Sequence, residues 1–159
     1  MGVVTFTVVE RSCAVTPNRL FKAMWFDNHN FYPIAMPHYI KSFELIEGDV
    51  NSIGCVKQFN FAEGTPHKYF KSKNLEVDEE KCCIKYKTFE GDVLGDNIDY
   101  IVYEAKIEST GQFKMVGHFY PKGDVELSTD DEVKCNLKGL VKALDATEKY
   151  LIDNPHLYA

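Results

Sequence analysis

The chain predicts an α+β fold: an antiparallel sheet of seven strands covered by one long C-terminal helix, with two short helices after the first strand. Three observations lead there. Residues 38–120 carry six segments of strand-like apolar/polar alternation. The pieces between them, such as Glu47-Gly48-Asp49, Ala62-Glu63-Gly64 and Glu90-Gly91-Asp92, are too short for the crossover that a parallel pair needs, so neighbours are antiparallel. Beyond Thr129 the apolar residues recur every three or four positions, which is the helical period.

The elements follow in chain order. Val4 to Glu10 alternates and forms the first strand. Thr16-Pro17 supplies an N-cap and a proline at the first helical position, and Leu20, Phe21, Met24 and Trp25 make a short apolar stripe. That helix should break near Asp27-Asn28-His29, resume briefly and stop at Pro33. Strands are expected at 38–46, 55–61, 67–76, 81–89, 98–108 and 111–120. The twice-used Glu-Gly-Asp-Val at 47–50 and 90–93 is a turn signal rather than a repeat. Thr129 and Glu132 have the spacing of a capping box, which opens a helix running to about Asp153 and stopped by Asn154-Pro155. Its apolar face is Val133, Leu137, Leu140, Val141, Leu144 and Leu151, while Lys134, Lys138, Lys142, Asp145 and Lys149 are left for water. At 1.5 Å per residue it is roughly 35 Å long, enough to cross the concave face of a curved sheet. Such an arrangement suggests a container.

Composition bounds the function. With 159 residues, 45% apolar and 13% aromatic, the whole chain, 1–159, reads as a single domain with a substantial core. A net charge of −6 and the lack of any basic run disfavour nucleic acid and anionic membrane as partners, since both are bound through clustered Lys and Arg. The N-terminal residues lack the pattern of a secretory signal and no apolar run reaches transmembrane length, so a cytoplasmic location is expected. Cys13, Cys55, Cys82, Cys83 and Cys135 lack zinc-type spacing and read as free thiols, with Cys82 and Cys83 on opposite faces of a strand. No metal, no cofactor and no catalytic residue is expected.

Alternation also divides the sheet into faces. On the last strand Phe113, Met115, Gly117 and Phe119 should face the helix, while Lys114, Val116, His118 and Tyr120 face away. Ile101, Tyr103, Ala105 and Ile107 point inward on the preceding strand, Ile84 and Tyr86 on the one before, and Phe59 and Phe61 on the third. Large aromatics mixed with Tyr hydroxyls suit an apolar pocket with a few directional polar groups. A solid core with Tyr tips at its edge fits the same pattern.

Several segments together resemble the plant class-ten pathogenesis-related proteins, the birch-pollen major allergen family. They are Leu20-Phe21-Lys22-Ala23, Phe31-Tyr32-Pro33, Met36-Pro37, Ile46-Glu47-Gly48-Asp49, Phe89-Glu90-Gly91-Asp92, Lys122-Gly123-Asp124 and Glu148-Lys149-Tyr150-Leu151. The resemblance runs from Gly2 to Tyr158. It implies a seven-stranded curved sheet gripping the long helix over a large internal hydrophobic cavity, with the two short helices supporting the helix's far end. It also implies an intracellular plant defence or stress protein that binds, carries or sequesters small amphipathic or hydrophobic metabolites: phytohormones, flavonoids, phenolics and alkaloids. A monomer or weak dimer is expected.

Carried over by position, the ligand-binding candidates from the sheet side are Tyr32, Ile40, Phe59, Phe61, His67, Tyr69, Ile84, Tyr86, Ile101, Tyr103, Phe113, Met115 and Phe119. From the helix side they are Asn136, Gly139, Leu140 and Ala143. His67 can read a ligand hydroxyl or carbonyl through its two ring nitrogens, or stand at the rim in water.

The chain departs from the family at its glycine loop, Gly-x-Gly-Gly-x-Gly, which here reads Gly48-Asp49-Val50-Asn51-Ser52-Ile53-Gly54. Branched Val50 and acidic Asp49 argue against nucleotide binding there, and Val50 and Ile53 are expected to affect the pocket entrance instead. Two enzymatic alternatives remain. Condensation or isomerisation of the kind run by norcoclaurine synthase and alkaloid isomerases would have to use His67, Tyr86 or Tyr103, because Glu104 and Lys114 face outward. Ribonuclease activity would fall on Lys57, Glu148 and Tyr150, with Asp99 in place of the family's Glu; the simpler reading is a solvated lysine and a surface Glu148. The gate and latch pieces of the related abscisic acid receptors are absent from the sequence.

Overall fold

The computed structural model describes residues 2–159. Strands β1 (Val4–Ser12), β2 (Ile40–Glu47), β3 (Val56–Phe61), β4 (Tyr69–Asp78), β5 (Cys83–Gly91), β6 (Ile98–Ile107) and β7 (Gln112–Pro121) form one antiparallel sheet in the order β1-β7-β6-β5-β4-β3-β2. Only the β1–β2 link is long, because these strands occupy opposite edges. It carries α1 (Pro17–Phe21), a π-turn (Lys22–Phe26) and α2 (Asn28–Ala35). Register shifts in β1, β2, β4, β5 and β6 insert extra residues, and such bulges bend the strands that contain them.

The long helix α3 spans Asp131–Asp153. Its N-cap is Asp130 rather than Thr129. The Asp130 carboxylate accepts from the backbone N–H of Glu132 at 2.9 Å and takes a further bond from Asn97 at 2.8 Å. A carboxylate reaches these orphan donors and also meets the positive helix end, which a threonine hydroxyl cannot match. Glu132 therefore does not complete a capping box, and its side chain reaches His67 instead.

The far end of α3 has no basic residue in its last turn, and Arg19 of α1 supplies one. Its guanidinium donates to the carbonyls of Leu151 (2.8 Å), Asn154 (2.9 Å) and Leu157 (2.9 Å). Glu148 is a second correction. It is buried, not on the surface, and accepts from Arg11 at 2.7 Å and from the Ala14 backbone N–H at 2.5 Å, tying α3 to β1. Pro33 lies inside α2, which continues to Ala35 instead of stopping.

The apolar stripe of the first helical segment packs as expected. Leu20, Phe21, Met24 and Trp25 are all buried, and Trp25 stands edge-on to Phe113 at 5.7 Å. Ile101, Phe113, Met115 and Phe119 are fully buried beside them in a solid core. Cys82 is buried, but it sits with a positive φ of 52° in the turn before β5, so it and Cys83 do not share a strand. All five cysteines are free thiols. Among the described residues no helix is long and apolar enough to cross a membrane.

Candidate functional site

Between β3–β6 and the middle of α3 the core gives way to a cavity. It holds about 160 Å³ of space that the centre of a water molecule can occupy. Twelve of the sequence candidates line it: Tyr32, Ile40, Phe59, Phe61, His67, Ile84, Tyr86, Tyr103, Asn136, Gly139, Leu140 and Ala143. Five do not. Ile101, Phe113, Met115 and Phe119 are buried in the core and do not line the open space; Phe113 packs against Trp25, and Phe119 against Phe6 and Tyr103. Tyr69 faces away from the cavity, where its hydroxyl donates to Glu90 at 2.9 Å.

Phe70 takes the place assigned to Tyr69. Along β4 the inward positions are Phe70, Ser72 and Asn74, all lining the cavity, while Lys71 and Lys73 point away. Tyr69 is carried over from the family by position, and the two polar residues on the inner face, Ser72 and Asn74, give this strand no apolar alternation to correct it. Ser72 satisfies itself with the Thr88 hydroxyl at 3.2 Å, which removes most of the burial cost. Val50 and Ile53 are exposed and do not line the cavity.

The walls are chiefly aromatic. Phe59 and Phe70 stack at 5.3 Å, Phe61 packs on Phe70 at 5.5 Å and on Tyr39 at 5.4 Å, and Tyr86 lies 5.3 Å from Tyr103. The Tyr32 hydroxyl is satisfied by the Met24 carbonyl at 3.0 Å. Burial raises the pKa of Tyr32 and Tyr103 well above the usual phenol value and pushes Tyr39 up to about 12. Burial raises Tyr86 as well, against the opposing effect of the Trp25 indole. All four are therefore neutral hydrogen-bonding groups at ordinary pH, able both to donate and to accept.

Lys57 is the feature the sequence misplaced most. Its side chain is buried, only 4% of the residue is exposed, and it lines the cavity. The ammonium donates to Asn28 Oδ1 at 3.0 Å, Asn51 Oδ1 at 3.3 Å and the Trp25 carbonyl at 3.4 Å, all neutral oxygens. Burial lowers its pKa to about 8, with Cys55 and Asp27 opposing the shift. Asn51 belongs to the altered glycine loop and adopts a positive φ of 69° to reach it. No carboxylate offsets the cost of burying this charge.

At the N-terminal end of α3 the cavity wall becomes polar. His67 Nε2 lies 2.5 Å from Glu132 Oε1, joining the β3–β4 loop to the helix. Asn136 donates its amide to the Val93 and Glu132 carbonyls, both at 2.8 Å. Its amide oxygen is left for a further donor.

Comparison with known proteins agrees with this geometry. Residues 1–154 match the family described as the pathogenesis-related protein Bet v 1 family. The pathogenesis-related protein STH-21 of Solanum tuberosum is 38% identical over the full length of both chains. The crystal structure of Ara h 8.0201 superposes with a TM-score of 0.81 at 29% identity, covering 96% of this chain and 99% of that one. Norcoclaurine synthase from Thalictrum flavum, in complex with dopamine and hydroxybenzaldehyde, superposes with a TM-score of 0.67 at 18% identity, covering 95% and 88%. The last likeness concerns the fold alone.

Proposed function

The chain belongs to the Bet v 1 family of pathogenesis-related proteins, and on that premise we propose that it binds a small amphipathic plant metabolite in the cavity beneath α3. Phytohormones, flavonoids, phenolics and alkaloids have the right chemistry, and the protein acts in the cytoplasm by sequestering or presenting its ligand. The observation that carries this reading is an aromatic chamber into which a counterion-free ammonium, Lys57, is built. Burial of the ligand's apolar body, worth roughly 25 cal/mol per Å², would supply most of the affinity, offset by the cost of association. The aromatic rings would hold the apolar body of the ligand, and Lys57, Tyr39 and Tyr103 would select its hydroxyl, carbonyl or carboxylate groups. Isothermal titration against members of these four classes tests the proposal. Micromolar or tighter binding of at least one supports it, and no binding by any opposes it.

Lys57 also favours a second reading, in which the cavity performs acid–base chemistry. An amine with a pKa of about 8 is divided between its acid and base forms near neutral pH, which suits a proton-transfer group. His67, Tyr86 and Tyr103 line the same space. Incubation with amine and aldehyde pairs, followed by mass spectrometry, separates the two readings. Product that disappears in Lys57→Met identifies an enzyme, and recovery of unchanged reactants identifies a carrier.

A further inference from the structure

His67, Glu132 and Cys135 meet where the β3–β4 loop touches the first turns of α3. One ligand-type atom from each, the imidazole nitrogen, a carboxylate oxygen and the thiol sulfur, lies within 4.8 Å of the other two. The sequence hides this meeting, because His67 is 65 positions from Glu132. Glu132 and Cys135 are three residues apart on one helix, which sets their side chains one above the other on the same face. We propose that these three side chains form a binding site for a divalent transition metal of the zinc class at the mouth of the cavity.

The donor set fits that class. Imidazole, carboxylate and thiolate are the three ligand types that zinc takes, at bond lengths of about 2.0–2.3 Å, which separates tetrahedral ligand atoms by about 3.3–3.6 Å. The His67–Glu132 pair, at 2.5 Å, would open by about 0.8 Å to admit the ion. All three residues are only partly buried, so an ion can enter from solvent. The net charge of −6 attracts a cation. Calcium and magnesium, which demand oxygen ligands, would be rejected by the nitrogen and sulfur.

Binding balances as one metal ion in and the thiol proton out, with Cys135 becoming the thiolate ligand. The hydrogen shared by His67 Nε2 and Glu132 moves to Nδ1 of a neutral imidazole, or leaves as a second proton if the ring was protonated. Three protein ligands leave a fourth position, and His67 and Cys135 both line the cavity. That position would take water or an oxygen donor of a molecule inside. The ion would also staple the β3–β4 loop to α3 across the cavity mouth.

Cobalt(II) titration of the full chain tests the site, because a thiolate bound to cobalt gives a near-ultraviolet charge-transfer band. We expect one equivalent to produce the band and zinc to bleach it. Cys135→Ser should abolish it and His67→Gln should weaken cobalt binding at least tenfold, while Cys83→Ser leaves it intact. No band in the unsubstituted protein, or a band that persists in Cys135→Ser, would overturn the proposal. Should Cys135→Ser lose its native circular dichroism, His67→Gln decides: unchanged cobalt affinity there rejects the site.

Discussion

The Lys57 ammonium lies 3.0 Å from Asn28 Oδ1 and forms no ion pair with any carboxylate among the described residues. The unfolded chain holds the lysine proton up to the ordinary value of 10.5, the folded chain only up to about 8. Between these pH values the unfolded state binds more protons, so this group makes stability rise with pH across that window. Below pH 8 the penalty is present in full, and above 10.5 it is gone.

Lys57→Met removes that titration. Urea unfolding of both proteins should therefore show the unsubstituted protein gaining roughly 2–4 kcal/mol on the variant between pH 8 and 10.5, through a depressed lysine pKa. A constant difference across this range would mean that Lys57 is solvated after all.

Gly117 gives Tyr103 its place in the cavity wall. A β-carbon there would stand 2.9 Å from Tyr103 Cε1 and 3.0 Å from Phe119 Cε1, and both rings are buried. Gly117→Ala should cost about 1–3 kcal/mol by overpacking and should tilt the Tyr103 ring. Chemical denaturation measures the first effect. Unchanged stability would show that the rings can yield.

Glu148 is buried and serves both Arg11 and the Ala14 N–H. Glu148→Ala leaves that N–H without its acceptor and should destabilise the fold by about 2–4 kcal/mol in urea unfolding. Asp145 still holds Arg11 at 2.7 Å, so Asp145→Ala, at an exposed pair, should cost less than about 1 kcal/mol. Equal losses in the two variants would contradict this ranking.

Gly139 faces the cavity from α3, and a β-carbon there would meet only the Tyr39 hydroxyl, at 3.6 Å. Gly139→Ala should therefore be accommodated and stabilise the helix by up to about 1 kcal/mol, seen as a higher melting temperature. Gly139→Leu should stay folded and lose ligand affinity by roughly tenfold or more, read by titration, because its larger side chain fills space that a ligand needs. Full affinity in Gly139→Leu would place the ligand elsewhere.

Much of this architecture was legible in the sequence because periodicity is a local signal. The seven strands, their antiparallel order and the reach of α3 to Asp153 follow from alternation, turns and stop signals. The cavity-facing pattern of Phe59, Tyr86 and Tyr103 does too. What escaped was set by tertiary contact. Ser72 and Asn74 face inward on polar side chains, so β4 shows no apolar alternation, and Tyr69, carried over by position, stands where Phe70 lines the cavity. Lys57 and Glu148 look like surface charges until Asn28, Arg11 and Ala14 are brought to them from distant positions and the turn at Asn51 folds over Lys57. Asp130 outcompetes Thr129 as the cap because Asn97 holds its carboxylate in place.

The central claim is that the space beneath α3 is a ligand chamber organised around Lys57. A crystal structure of the protein with the tightest-binding metabolite from the titrations tests it most directly. Ligand density between α3 and the Phe59, Phe70 and Tyr103 rings, with a polar atom within hydrogen-bond distance of Lys57 Nζ, is the expected result. Ligand density confined to the outer surface, with side chains or water filling the chamber, would contradict the claim.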